Sequence, residues 1–205
     1  MTMKGTLRII RKQEKVEYHI KRSVFIGVGA PAVSEKDAKD FIARTRDEYS
    51  DATHVAWAYI VGSIEGYSDA GEPAGTAGPP ILRVLKGEGV THGVICVIRY
   101  FGGIKLGKRG LIDAYGHTAK LLLEKAGVVD AAPAYVVEIV HSYNVKIDGV
   151  LRSLGIDTRK LTPHYEEVVR WTLTVKKDVY EALKGRLDAM DGVKVSILDE
   201  TLVEV

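Results

Sequence analysis

Between Val97 and Thr118 the sequence reads V-I-R-Y-F-G-G-I-K-L-G-K-R-G-L-I-D-A-Y-G-H-T: an apolar run, a segment with glycines at 102, 103, 107 and 110, then an amphipathic run. The pattern predicts a strand, a loop and a helix. Glycines at this density free the backbone from the restrictions of L-residues and let it approach a neighbouring chain or a ligand. Arg99, Lys105, Lys108 and Arg109 surround the loop and Asp113 is the one acid in the window, a local charge of +3. A basic glycine loop that leads into a helix N-terminus can cradle an anion, because free backbone N–H groups point out of such a turn.

The rest of the composition narrows the class of protein. A chain of 205 residues, 46% hydrophobic and 27% charged, can bury one large core or two small ones. It has no apolar run of membrane-spanning length, and M-T-M-K-G-T-L-R-I-I lacks the core of a signal peptide. A single cysteine, Cys96, rules out an internal disulfide and fits a reducing, cytoplasmic compartment. Net charge is only +2, but residues 1–130 carry +4 and 17 of the 21 glycines, while residues 131–205 carry −2. The specialised backbone is therefore expected in the first part.

Local patterns predict strands over 7–10, 16–20, 23–29, 53–61 and 93–100. Ser34 with Asp37 three residues on predicts a capped helix whose inner face carries Ala38, Phe41, Ile42 and Tyr49. Residues 62–80 read as one long loop, and Pro79 or Pro80 as the start of a short helix ending near Gly87. Leu111, Ile112, Tyr115, Ala119, Leu122, Leu123 and Ala126 form a helical stripe closed by Gly127. Residues 130–135, D-A-A-P-A-Y, read as the linker. Beyond them the pattern is strand 135–140, helix 143–154, a short strand near 157–161, strand 166–176, helix 178–190 and strand 194–198. That order predicts a βαββαβ ferredoxin-like domain over 131–205, after an α+β domain over 1–130.

Three stretches carry a family resemblance. S-D-A-G-E-P-A-G-T-A-G-P-P (68–80) and R-Y-F-G-G-I-K-L-G-K-R-G-L-I-D-A-Y (99–115) resemble the signatures of the IMPACT/YigZ family, and D-A-T-H-V-A-W-A-Y (51–59) resembles its third block. The resemblance implies an N-terminal βαβ domain like those of a small-subunit ribosomal protein, elongation factor G domain IV and GHMP kinases. It implies a C-terminal ferredoxin-like domain similar to the late domains of elongation factor G. Eukaryotic relatives act in translational control, by competing for a ribosome-associated activator of a stress kinase. The chain departs from the family at Ala70, where the pattern has a second Asp, and at Lys108-Arg109, where it has Thr-Gly.

Two sets of candidate residues follow. In the basic loop, Arg99, Lys105, Lys108 and Arg109 can engage phosphates, Tyr100 and Phe101 can stack on bases, and Gly102, Gly103 and Gly107 shape the backbone. The run 102–109 is close to a Walker A loop but has Arg109 where that motif needs Ser or Thr, so no nucleotide cofactor is assigned. In the other loop, Ser68, Asp69, Gly71, Glu72, Pro73, Gly75 and Thr76 form the motif. Asp69 and Glu72 pin a turn or, for Glu72, pair with Arg99. A hydrolase reading instead makes Asp69, Glu72 and His117 acid–base groups and Ser68 or Thr76 a nucleophile or binding hydroxyl. His54 and Trp57 complete the family motifs. The histidines are too scattered to predict a metal. The expected function is a non-catalytic, translation-associated module that contacts RNA, the ribosome or a translation factor through the basic loop. The alternatives are a small-molecule hydrolase or transferase on a phosphorylated or nucleotide substrate, and a protein–protein adaptor.

Overall fold

A computed structural model describes residues 7–205 of the chain. They divide into two compact units that meet in sequence between Asp130 and Ala131.

The first unit is built on strands β1 (Leu7–Ile10), β2 (Glu14–Ile20) and β3 (Ser23–Ala30), helix α1 (Glu35–Glu48), strands β4 (His54–Val61) and β5 (Ile64–Ser68), helix α2 (Gly78–Gly87), strand β6 (His92–Tyr100) and helix α3 (Gly107–Ala126). Strand β6 is central. It pairs antiparallel with β3 on one edge and β4 on the other, while β2 and β5 extend the sheet outward and β1 adds a short parallel pairing at Ile9–His92.

A central strand buried on both faces is apolar throughout, and the alternation of its side chains decides which helix each one meets. Val94, Cys96 and Ile98 join Ile26, Val28 and the α1 residues Phe41 and Ile42 in one core. Ile95 and Val97 join Phe25, Ala56 and Ala58 under α2 and α3, against Ile81, Leu85, Tyr115 and Leu122. Arg99, the next residue of that second series, therefore falls on the α2–α3 face.

Helix α1 starts where Ser34 and Asp37 suggest: Ser34 Oγ accepts from Asp37 N at 3.1 Å and Asp37 Oδ2 from Ser34 N at 2.8 Å. Burial pushes the Cys96 thiol up to about 12, so it is an inert core residue.

The loop expected over 62–80 is shorter than that. Its first part is β5, which closes a hairpin with β4 in the register Val61–Ile64 to Trp57–Ser68. The sequence conceals this strand because Ile64 and Tyr67 are exposed, so no apolar alternation marks it.

The second unit contains β7 (Val128–His141, which begins three residues before the division), helix α4 (Asp148–Ser153), strands β8 (His164–Tyr165) and β9 (Val169–Lys176), helix α5 (Lys177–Asp188) and strand β10 (Val193–Glu204). Its sheet is antiparallel in the order β10-β7-β9-β8. The expected linker at 130–135 is strand instead: Ala131 and Ala134 are fully buried, and residues 131–141 pair with β10. Small residues and a proline read locally as a loop, but long-range pairing decides. The short strand expected near 157–161 is a single 3₁₀ turn, Thr158–Lys160, headed by Asp157, whose carboxylate accepts from Arg159 N at 3.2 Å. Buried His141 accepts from Trp171 Nε1 at 3.0 Å and faces the Ser142 carbonyl through Nδ1 at 2.8 Å. A carbonyl only accepts, so Nδ1 carries the proton and both ring nitrogens are satisfied.

Gly102 and Gly103 follow β6 and differ in what they tolerate. A Cβ on Gly102 would lie 2.0 Å from the Arg22 carbonyl oxygen, so the β2–β3 turn is packed on bare backbone there. Gly103 has φ +82°, and nothing among the described residues lies within 4 Å of where its Cβ would stand, so conformation selects glycine there. Gly103→Ala is expected to cost about 1 kcal/mol, and Gly102→Ala several times more, because backbone must move; urea unfolding midpoints compare them. Cys96 should ignore a thiol reagent in the native protein and react on unfolding, as absorbance titration would show.

Candidate functional site

The register sets one row of side chains across three strands. Phe25 pairs with Arg99, and Arg99 with His54, so β3, β6 and β4 place these three on the α2–α3 face at one end of the sheet. Helix α3 lays Tyr115 over this row, its ring meeting Phe25 edge-on with centroids 5.1 Å apart. The 68–78 loop then lowers Glu72 into the middle.

Asp69 holds that loop in place. Its Oδ1 accepts from Ala77 N at 2.8 Å and Gly78 N at 2.9 Å, and its Oδ2 from Gly75 N at 2.8 Å. The carboxylate thus binds the free donors at the start of α2 and complements the helix dipole. Ser68 Oγ accepts from Ala70 N at 3.1 Å, and Thr76, fully buried, donates to the Pro73 carbonyl at 2.6 Å. Ala70 lies at φ +49°, so the residue that departs from the family pattern occupies a backbone region unfavourable to alanine. Its carbonyl still has a role: it accepts from His54 Nδ1 at 2.8 Å. That bond fixes the Nδ1–H tautomer and leaves Nε2 as the acceptor of the neutral ring.

Glu72 is the centre of the site. Its side chain is 3% exposed and that of Arg99 6%, and Glu72 Oε1 accepts from Arg99 Nη1 at 2.7 Å and from Tyr115 Oη at 2.8 Å. The Arg99 guanidinium lies between rings, 5.5 Å from the Phe25 centroid and 5.1 Å from that of Phe101. Burial, together with the adjacent Glu72 charge, pushes the Tyr115 phenol far above its ordinary range, so it stays a donor. Glu72 Oε2 has no donor among the described residues; His54 Nε2 is 4.0 Å away. Arg99 Nε is likewise buried without an acceptor. These groups line a cleft of about 440 Å³ whose other walls are Thr53, Pro73, Leu106 and Leu111 and whose mouth carries Lys105 and Lys108.

Several expected site residues lie elsewhere. Arg99 is not a phosphate fork on a rim, because its charge is committed to Glu72. Tyr100 points to the α1 face and donates to Asp51 at 2.8 Å, leaving Phe101, 44% exposed, as the ring offered to a ligand. Trp57 is on the face opposite His54, stacked on Tyr59. His117 is exposed on α3 and packs edge-on against Tyr18, outside the cleft lining. Asp69, Glu72 and His117 thus do not converge as an acid–base set, and Thr76 is not available as a nucleophile. Ser68 and Gly71 shape the turn, and Gly71 lies against the His54 ring.

Lys105 and Lys108 have no carboxylate partner among the described residues, whereas Arg109 reaches Asp113 at 3.3 Å in an exposed pair one helical turn apart. Helix α3 has no side-chain cap among the described residues and no acid in its first turn. The sequence pattern gave no sign of Tyr115 as a site residue, since it counts equally as one of the apolar stripe. Nor did it mark the Lys21–Arg22 turn, whose two residues have φ 44° and 65° and whose backbone rests on Gly102. No local signal links that turn to a loop so distant in the chain.

A buried pair that loses one partner leaves an uncompensated charge. Arg99→Met is expected to destabilise the fold by about 3–5 kcal/mol. Arg99→Met with Glu72→Gln should recover a substantial part of that loss, because the amide oxygen still accepts from Tyr115. Tyr115→Phe should cost only about 1–2 kcal/mol. Equilibrium urea unfolding of the three variants beside the parent protein checks the order.

Residues 21–123 match the Impact N-terminal domain family. The IMPACT family member YvyE of Bacillus subtilis is 34% identical over 196 residues, which cover 89% of each chain. The IMPACT family member in the pol 5' region of Thermus thermophilus is 45% identical over 107 residues, or 52% of this chain, and the match spans 58% of that relative's length. Among solved structures, the crystal structure of a hypothetical protein superposes with a TM-score of 0.64 at 28% identity, over 96% of this chain and 99% of the other. With the family match over the site-bearing strands and the Bacillus relative aligned along nearly the whole chain, the protein belongs to the IMPACT family.

Proposed function

We propose that this chain is a translation-associated binding protein that contacts RNA, the ribosome or a translation factor through the surface around the α3 N-terminus. The observation that carries the reading is the cationic end of the sheet. Lys105 and Lys108 are unpaired by carboxylates among the described residues, the first turn of α3 adds free N–H groups and no acid, and the exposed Lys21–Arg22 turn packs beside them on Gly102. Phosphate backbones are bound by such an arrangement, and the exposed Phe101 ring supplies a stacking face beside it. The role in translational control comes from what membership of the family implies.

We read residues 1–130 as the IMPACT-like domain, of the kind found in a small-subunit ribosomal protein and elongation factor G domain IV. Residues 131–205 are read as the ferredoxin-like domain of the late elongation factor G type. The β10-β7-β9-β8 order, with α4 and α5 as the two crossovers, supports the second assignment. The hydrolase alternative is weaker, because Asp69 and Thr76 are spent on the loop's own backbone.

The test is co-sedimentation with ribosomes, and filter binding to single-stranded RNA, across a salt series. Affinity should fall steeply with salt. Lys105→Ala with Lys108→Ala should lower the slope of log affinity against log salt by roughly 1.4, at ~0.7 per phosphate contact. Arg109→Ala should do less, because Asp113 already offsets its charge. Association that ignores both salt and the double substitution would contradict the reading.

A further inference from the structure

The cleft has opposite character at its two ends. At its floor, Glu72 Oε2 and, in the neutral Nδ1–H form of the ring, His54 Nε2 are two acceptors 4.0 Å apart with no donor between them among the described residues. Two acceptors facing each other at that distance are satisfied by a ligand with two adjacent N–H groups on one edge. Arg99 Nε, buried and without an acceptor, belongs to the guanidinium that already grips Glu72. Arg99, Glu72 and His54 therefore offer one free donor and two free acceptors among the described residues. The walls are apolar, from Pro73, Leu106 and Leu111, and Lys105 and Lys108 stand at the mouth. A ligand that fits presents donors at its inner end, a flat apolar body and an anion at its outer end. A guanidinium or ammonium ligand satisfies the two acceptors but is repelled at the mouth, and a simple phosphate meets the mouth but leaves the floor unpaired.

We propose that this cleft is a guanine nucleotide site, which takes the O6, N1–H and N2–H edge of the base on Arg99, Glu72 and His54 and the phosphate at Lys105 and Lys108. Guanine is the only common base with two adjacent N–H donors on its pairing edge. Adenine and cytosine turn a ring nitrogen acceptor toward Glu72 Oε2, and uracil has a single donor between two acceptors. Such an edge match is how unpaired bases are read by proteins. A volume of about 440 Å³ is within the range of small-molecule sites. Arg99 Nε is buried, and the Phe101 ring, 5.1 Å from the guanidinium carbon and 44% exposed, turns to stack on the base as O6 reaches that donor. The nucleotide is either free or an unpaired guanosine of an RNA. In the second case the inference rests on the RNA-contacting surface proposed above and names what that surface reads.

The experiment is isothermal titration of the full chain with GMP, AMP, CMP and UMP at one salt concentration, repeated with uridine oligonucleotides that carry one central guanosine or adenosine. GMP is expected to bind at least about 10-fold more tightly than the other three, as one good edge match provides. His54→Leu, which leaves the Glu72–Arg99 pair intact, should abolish the preference. Lys105→Ala with Lys108→Ala should weaken all four nucleotides alike. Equal binding of GMP and AMP, or a preference that survives His54→Leu, overturns the proposal. Oligonucleotides that bind with no preference for guanosine overturn it too, and leave the RNA reading standing. Tight GMP binding with no affinity for RNA or ribosomes supports the site and removes the RNA reading.

Discussion

The buried pair of Glu72 and Arg99 is the interaction on which the first unit's functional end depends. Two opposite charges, each almost fully removed from water, lose several kcal/mol of hydration apiece, and a pair recovers that only with good geometry and satisfied lone pairs. Here the geometry is supplied by parts distant in sequence: a strand residue, a loop residue and a helix residue share one carboxylate oxygen. Replacing the pair with apolar side chains would fill the space as well. The pair stands instead at the wall of a cleft, where Glu72 keeps one oxygen without a donor among the described residues.

The loop that carries Glu72 is held to its shape by hydrogen bonds that make no demand on the Glu72 side chain. Asp69 gathers three backbone N–H groups around the start of α2, and Thr76 ties the loop back to Pro73. A carboxylate so employed is lost to catalysis but positions its neighbour. The chain thereby separates the two acids of the S-D-A-G-E-P motif into a structural one and a site-forming one. At Ala70 the hydrogen bond with His54 is made through the carbonyl, which any residue supplies.

Much of the first unit was legible in its residues. The capping pair Ser34–Asp37, the apolar strands and the α3 stripe are local patterns that demand no distant partner. The Glu72–Arg99 pairing was open to the sequence as one alternative among several. What local patterns concealed were elements made by pairing: β5, with its exposed Ile64 and Tyr67, and the start of β7, with its loop-like D-A-A-P-A-Y. Sequence proximity also grouped Tyr100 with Phe101 and Trp57 with His54, although Tyr100 and Trp57 pack on the α1 face while Phe101 and His54 line the cleft.

By itself, then, the sequence determined most of the elements of the first unit, the family, and the concentration of glycine and positive charge around Val97–Thr118. Those depend on composition and short-range periodicity, which survive without a fold. Only the tertiary structure decided that Arg99 is internal while Lys105 and Lys108 have no carboxylate partner among the described residues, that Gly102 is required by contact and Gly103 by conformation, and that His54 and Glu72 face each other across a cleft. Strand register and the close approach of the Lys21–Arg22 turn bring those groups together, and neither is encoded within any one stretch of the chain.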